Sequence, residues 1–279
     1  MAFNFKKLAE KGERKTIVID ALNLAFRWKH QGRTDFRHDY LQTVKSLAQS
    51  YKCGNIIITA DWGSSTYRKA LSPDYKQNRK DSYEKQTEAE KQAFVDFFDE
   101  YEGTLELLAE SFEVFRYKGV EADDIAAHLV KRKTEYKLED IWLVSSDRDW
   151  DLLIQDGVNR FSYVTRKEVT INNWDEHYNV TPEEYISFKC LTGDKGDNVP
   201  GINGIGPKRA EQLITEYGDA LNIYDNIPID GKYKYIKELN ANAEVLLLNY
   251  ELMDLVTYCD DAIGADNVSD IKRRMTIEG

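Results

Sequence analysis

The chain has little that would place it in a membrane, in an oxidising compartment or on a zinc ion. Aliphatic runs such as Ile17-Val18-Ile19 and Ile56-Ile57-Ile58 fall far short of the ~20 apolar residues a spanning helix requires. The first fifteen residues carry Lys6, Lys7, Lys11, Arg14 and Lys15 but no apolar core of signal-peptide length. A cytoplasmic protein is therefore expected, in the host cytoplasm if the source is viral. Only Cys53, Cys190 and Cys259 are present. They are odd in number, scattered and never spaced C-x-x-C, which excludes a readable disulfide framework or zinc ribbon and leaves them as small core residues. His30, His38, His128 and His177 form no H-E-x-x-H pattern and read as structural. Positive charge is also short: 38 Lys and Arg against 49 Asp and Glu give a net charge of −11. Averaged over the chain, that balance speaks against a nucleic-acid partner, but an average conceals local patches. Apolar residues at 42% and aromatics at 12% exclude a disordered, collagen-like or mucin-like chain.

What is present reads as α/β. At 279 residues the chain has room for one large domain or two unequal ones. Five short β-rich runs, 16–20, 55–61, 112–117, 141–145 and 159–163, alternate with helical stretches. Runs apolar on both faces fit a mostly parallel twisted sheet buried between helices. Beyond about Thr181 the β signal fades, and helices are expected over 182–191, 207–217 and 244–255. The chain thus divides into an α/β domain, 1–180, and a helical domain, 181–279. A segment of about fifty residues, 65–113, separates the second and third strands, too long for an ordinary crossover. Its first part holds Arg68, Lys69, Lys76, Arg79 and Lys80 against Asp74, whereas Gln92 to Glu113 has seven acids and no base.

The acids carry the chemistry. Asp20, Asp61, Glu121 and Asp147 each follow a strand at its carboxyl end, the rim where open parallel sheets bind ligands. Asp123, Asp124, Asp149, Asp194 and Asp197 add to them. Carboxylates this crowded raise one another's pKa and call for cations. An all-oxygen donor set favours Mg2+, with Mn2+ as a substitute, over zinc. Two such ions about 4 Å apart activate water and stabilise the leaving oxygen of a phosphodiester. Singly, an acid such as Asp123 is more readily a helix cap or a solvated turn than a ligand; the set is the signal. An EF-hand over Asp147-Arg148-Asp149-Trp150-Asp151 fails because Leu152 replaces the turn glycine and Val158 the bidentate Glu. A haloacid-type phosphatase fails because Leu22 stands where its second Asp belongs.

The cations have matching places. Ser72-Pro73-Asp74 reads as a helix start, which sets Lys76 and Arg79 on one face to grip a scissile phosphate. The alternative is a solvated basic face. Tyr75 either stacks on an unpaired base or packs. Gly201, Gly204 and Gly206 form a tight hairpin ahead of Pro207, Lys208 and Arg209, an anion cradle for duplex phosphates.

In order along the chain, Ile17-Val-Ile-Asp20-Ala-Leu-Asn23, Tyr75-Lys-Gln-Asn-Arg79, Gly119-Val-Glu-Ala-Asp-Asp124, Ser145-Ser-Asp-Arg-Asp149 and Gly193-Asp-Lys-Gly-Asp-Asn-Val-Pro-Gly201 resemble the motif blocks of the 5′-nuclease family. That family comprises bacteriophage 5′-exonucleases and flap endonucleases, the 5′-exonuclease domain of bacterial DNA polymerase I, and the eukaryotic flap endonucleases. The free-standing phage enzymes are the most similar in layout. The resemblance implies a PIN-like nuclease core, a helical arch formed by the insertion, and a helix-hairpin-helix (helix-three-turn-helix) domain. It implies a first metal cluster of Asp20, Asp61, Glu121, Asp123 and Asp124, and a second of Asp147, Asp149, Asp194 and Asp197. Lys76 and Arg79 take the place of the catalytic cations at the arch base, with Arg27, Tyr75 and Lys80 as further DNA contacts. Gly201 to Arg209 matches the duplex-binding hairpin, which in relatives also holds K+. Arg148 stands where many relatives have Gly. The expected activity is a Mg2+-dependent, structure-selective 5′-nuclease, a monomer acting in DNA replication on flapped DNA with a free 5′ end and on RNA primers. The rivals are a PIN-type RNase, which would lack the hairpin and the second acid cluster, and an inactive branched-DNA-binding paralogue, which would lack acids.

Overall fold

The computed structural model describes residues 15–277; the basic segment before Lys15, read above for export, lies outside the described residues. Strands β1 (Lys15–Asp20), β2 (Asn55–Thr59), β3 (Glu113–Phe115), β4 (Glu139–Val144) and β5 (Val158–Phe161) pair in parallel, and β6 (Glu168–Val169) closes one edge antiparallel. The order is β3-β2-β1-β4-β5-β6. The chain therefore moves outward from β1 in one direction and, after β4, in the other, so that the order reverses between β1 and β4. At such a reversal the loops leave to opposite faces and open a crevice at the carboxyl ends.

Both faces are covered, as the strands' double-sided hydrophobicity requires. On one face α1 (Ala21–Lys29), α2 (Arg37–Ser50) and the long α5 (Glu88–Ala109) bury Trp28, Phe36, Tyr40, Phe97 and Tyr101 against Ile17, Ile19 and Ile58. On the other, α6 (Ala122–Lys131), α12 (Leu255–Ile263) and α13 (Ala265–Ile277) pack Ile125, Leu129, Cys259 and Ile271 against Val18, Ile57 and Leu143. All three cysteines are buried and stand outside any disulfide. His128, wholly buried, bonds the Tyr136 hydroxyl at 2.8 Å and Asp260 at 2.7 Å, and Arg132 holds the same Asp260. Burial lowers the His128 pKa, so this clamp between α6 and α12 works with a neutral ring.

The insertion forms α3 (Thr66–Leu71), α4 (Gln77–Glu84) and α5. Thr87 opens α5 with a reciprocal Thr–Glu90 cap. Five of the seven acids of Gln92 to Glu113 lie along α5, whose apolar face enters the core; Glu110 caps its end and Glu113 opens β3. The helical domain contains α7 (Tyr185–Thr192), a short β7 (Gly193–Asp194) to β8 (Val199–Pro200) hairpin, α8 (Pro207–Tyr217), α9 (Ala220–Asp225), α10 (Lys234–Ala241) and α11 (Glu244–Met253). The helix expected to run on from Glu244 to Leu255 is broken, because Asp254 caps α12 by accepting from the N–H groups of Val256 and Thr257.

A candidate metal centre and nucleic-acid interface

Five acids line one cavity of about 100 Å³ at the reversal, namely Asp20, Asp61, Glu121, Asp123 and Asp147, together with Asn23, Lys76 and Arg79. Each acid is fixed by its place at an element end. Asp20 ends β1 and caps α1, its Oδ1 accepting from the Asn23 N–H at 3.1 Å and its Oδ2 from the Ser145 hydroxyl at 2.7 Å. That second bond ties the end of β1 to the end of β4. Asp61 accepts from the Ala122 N–H at 2.7 Å, so a residue from the β2 loop caps the helix that carries Asp123. Asp147 accepts from the Asp149 N–H at 3.0 Å and opens a 3-10 turn over Arg148–Leu153.

The electrostatics are those of a cluster built for cations. Burial, then Asp61, push Asp20 up to about 8. Burial also raises Asp61 and Asp123, the latter helped by Asp124 and Glu121. Glu121 is held low despite its burial by Lys76 and Arg68. Carboxyls gathered this closely, with only oxygen donors to offer, suit hard divalent ions.

The remaining predicted acids divide into three. Asp149 and Asp194 are bridged by the buried Lys189 ammonium, which donates to both. Burial nevertheless lifts Asp149 to about 6. Asp194 also accepts the N–H groups of Gly196 and Asp197 at 2.7 and 3.2 Å. Asp197 accepts from the Tyr75 hydroxyl at 2.9 Å and from Arg79 at 2.6 Å. Asp124 is fully buried. One of its oxygens lies with those of Glu121 and Asp123 inside a 4.8 Å group, yet both oxygens accept from Arg68 at 2.7 Å. A cation reaching Asp124 therefore competes with a guanidinium already in place.

Arg68, Lys189, Ser145 and Asn23 are the site residues that sequence reasoning passed over as participants. Arg68 is buried, donates to Asp124, Glu121 and the Leu252 carbonyl, and so joins α3, α6 and α11. Nothing in its local sequence marks this role. Ser145 and Asn23 stand inside motif blocks, but their partners, Asp20 for the Ser145 hydroxyl and the Ser146 N–H for Asn23, lie more than a hundred residues away in the chain.

Three local expectations are corrected. Ser72-Pro73-Asp74 ends α3 and forms a turn instead of starting a helix, and α4 begins at Gln77 behind Lys76, whose φ of 55° is left-handed. The turn is stitched to the 194–198 loop by the Lys76 N–H on the Asp197 carbonyl (2.9 Å) and by Asn78 and Asn198. Tyr75 is buried, its hydroxyl on Glu121 and Asp197, so it packs and orders the acids and has no free face for a base. Lys76 and Arg79 both line the acid cavity but not as neighbours on one helix face, because Lys76 precedes α4. The Lys76 ammonium sits 2.8 Å from Glu121, and Arg79 reaches Asp197. Lys80 is exposed, as is Lys208.

At the hairpin, Gly193 and Gly201 are required by close approach. A Cβ on Gly201 would come within 2.3 Å of the Thr192 carbonyl carbon, and one on Gly193, at φ +72°, within 2.2 Å of the Gly201 nitrogen. Gly204 (φ +80°) and Gly206 are exposed at the tip. Arg209 folds back on the Gly204 carbonyl at 2.5 Å and over the Tyr235 ring at 4.6 Å, which leaves Lys208 as the outward cation of the pair.

Two family models cover the chain: the N-terminal resolvase-like domain of 5′-3′ exonucleases matches residues 15–179, and the C-terminal SAM fold of 5′-3′ exonucleases matches residues 180–274. The chain belongs to the 5′-3′ exonuclease family. It is 43% identical over 254 residues to the flap endonuclease of Escherichia phage T5, covering 90% of this chain and 87% of that protein. DNA polymerase I of Rhizobium leguminosarum is 32% identical over 205 residues, of which this chain spans 19% of the length. The crystal structure of the phage T5 enzyme, in complex with DNA and metal ions, superposes with a TM-score of 0.90 at 41% identity, over 94% of this chain and 97% of that one. The same phage protein has also been solved with bound zinc. The catalytic core of Rad2 shares the fold at 17% identity and a TM-score of 0.52. As a member of the exonuclease family the chain is a nuclease, with a parallel-sheet domain followed by a helical one.

Proposed function

We propose that the chain is a Mg2+-dependent, structure-specific 5′-nuclease that removes 5′ flaps and degrades nucleic acid from 5′ ends, RNA primers included. The observation that carries this reading is the set of carboxyls across the β1/β4 reversal, among which burial and neighbouring acids raise Asp20, Asp61 and Asp123 in pKa, faced by Lys76 and Arg79. When bound there, two or more divalent ions supply an activated water and charge stabilisation for a leaving oxygen. Asp20, Asp61, Glu121, Asp123 and Asp147 are the residues that would hold them, with Asp149, Asp194 and Asp197 beside the second position and Lys189 giving way.

The chain's own side chains do the rest. Lys76 and Arg79 rest on Glu121 and Asp197. Once cations take over those carboxylates, both are released to the phosphate whose charge develops during cleavage, where a fixed donor acts most strongly. Asn23 and Ser145 hold Asp20 in place. Residues 181–279 grip duplex through the Gly201–Arg209 hairpin, with K+ as an added ligand there, while the insertion at 65–113 arches over the cleft and admits single strand. Asp123→Asn combined with Asp147→Asn tests the assignment. The double variant is expected to lose cleavage of flapped DNA in Mg2+ yet keep measurable binding in Ca2+. Parent-like turnover would refute it.

A further inference from the structure

A second basic groove adjoins the acid rim. It is a polar cavity of about 510 Å³ between α1, α2 and the turn joining β5 to β6. The Tyr163 ring carries two guanidiniums, Arg27 at 4.6 Å and Arg166 at 4.2 Å from its centroid, and Arg27 also lies 5.1 Å from the Trp28 ring. Among the described residues neither arginine forms an ion pair. The one carboxylate lining the groove, Asp39, is already engaged by Arg33 at 2.6 Å. Two like charges sharing one ring without a counter-charge, in a chain of net −11, repel each other unless an anion joins them. Stacking on an aromatic ring directs the edge donors of a guanidinium outward, the arrangement that suits a phosphate.

The groove is mechanically part of the site. Ser146, next to Asp147, receives the Val164 N–H on its hydroxyl at 3.2 Å and gives its own N–H to Asn23 at 2.8 Å. The Tyr163–Arg166 turn, α1 and the acid loop therefore hold one another in register. Arg27 is seven residues beyond Asp20 on α1, about 10 Å along the helix axis, a reach that a few nucleotides of a strand can span.

We propose that this groove is a phosphodiester subsite, in which Arg27 and Arg166 clasp one backbone phosphate of the substrate strand within a few nucleotides of the cut. The proposal rests on the nuclease reading above and adds to it where the strand runs. Contacts of this kind fix register without reading sequence.

The test uses the full chain without divalent metal and flapped DNA in which each phosphate in turn is replaced by a neutral methylphosphonate. Arg166→Asn is the chosen variant, because Arg166 is exposed with a φ of 58°, a conformation Asn tolerates. The parent is expected to lose affinity several-fold when one phosphate within a few nucleotides of the cut is neutralised. Arg166→Asn is expected to bind native DNA more weakly by a similar factor, to be indifferent to that one replacement, and to show a salt slope smaller by about one. Arg27→Gln should be blind to the same phosphate. The proposal is overturned if Arg166→Asn and Arg27→Gln bind native DNA with parent affinity and slope, as they would if the groove served an acidic protein segment. It is equally overturned if every methylphosphonate costs the variants what it costs the parent. Cleavage of the same DNA by the parent in Mg2+ is read separately: failure there removes the nuclease reading, whereas silent variants alongside normal cleavage remove only the subsite.

Discussion

Replacing Asp20 by Asn should make the metal-free protein more stable while ending its activity. In the unfolded chain Asp20 titrates near 3.8, whereas in the fold burial, Asp61 and Asp147 lift it to about 8. A folded pKa above the unfolded one contributes stability that is fully present below pH 3.8 and is lost as pH rises to about 8. At pH 7.5 folding must therefore bring a proton to this carboxyl, at a ceiling of about 5 kcal/mol, taking about 1.4 kcal/mol per pH unit. Sharing of protons with Asp61 and relaxation of the cleft reduce the net effect to about 2 kcal/mol, still a large fraction of a domain's stability. Asn keeps an acceptor for the Asn23 N–H and offers an amide to the Ser145 hydroxyl, so the local geometry survives. At about 2–4 °C per kcal/mol for a protein of this size, the variant should melt roughly 4–8 °C above the parent at pH 7.5 in chelator. The gap should shrink toward pH 5, where the parent carboxyl is protonated for less, and shrink again when excess Mg2+ stabilises the parent alone. A variant no more stable than the parent in chelator, or a gap independent of pH, would refute the reasoning.

Further outcomes follow from other contacts. Lys76→Ala should lower kcat far more than it raises KM, because the released ammonium acts on charge that develops in the transition state; an effect confined to KM in steady-state assays would make Lys76 a docking cation. Lys208→Ala should weaken binding to all duplex sequences alike and reduce the log K against log[salt] slope by about one, and a changed sequence preference would contradict the phosphate cradle. Arg68→Ala should cost about 3–5 kcal/mol in denaturant unfolding, since it leaves Asp124 buried and unpaired; adding Asp124→Asn should restore part of that loss, and strict additivity would deny the pair. A bulky protein attached to the free 5′ end before mixing should block junction cleavage, whereas the same bulk added after binding should not. Equal rates would refute threading beneath the insertion.

Much of this was legible in the sequence, because the chemistry sits on local signals. Strand ends carry acids, and a Gly-rich turn ahead of Pro207 starts a helix that runs over Pro207–Tyr217 as expected. The five parallel strands lie within about two residues of their apolar runs. What stayed hidden depends on partners far away in the chain. Ser72-Pro73 has the composition of a helix start, but the Lys76 N–H bonds the Asp197 carbonyl, 121 residues on, and the backbone turns left-handed to reach it. For Tyr75 the sequence leaves stacking and packing open, because its neighbours are basic and polar; the helical domain buries it. β6 has two residues, too few to show alternation, and Asp254 caps α12 from within an apolar run that reads as continuous helix. Arg68 and Lys189 resemble surface cations until the fold closes acids over them, which no local pattern announces.

The most direct test of the central claim is single-turnover cleavage of a 5′-labelled flap by the intact protein, with Mg2+ and with chelator, alongside Asp123→Asn/Asp147→Asn. The account predicts a short labelled product released at the junction only with Mg2+ and only by the parent. Cleavage in chelator, cleavage by the double variant, or an intact flap with the parent in Mg2+ would contradict it.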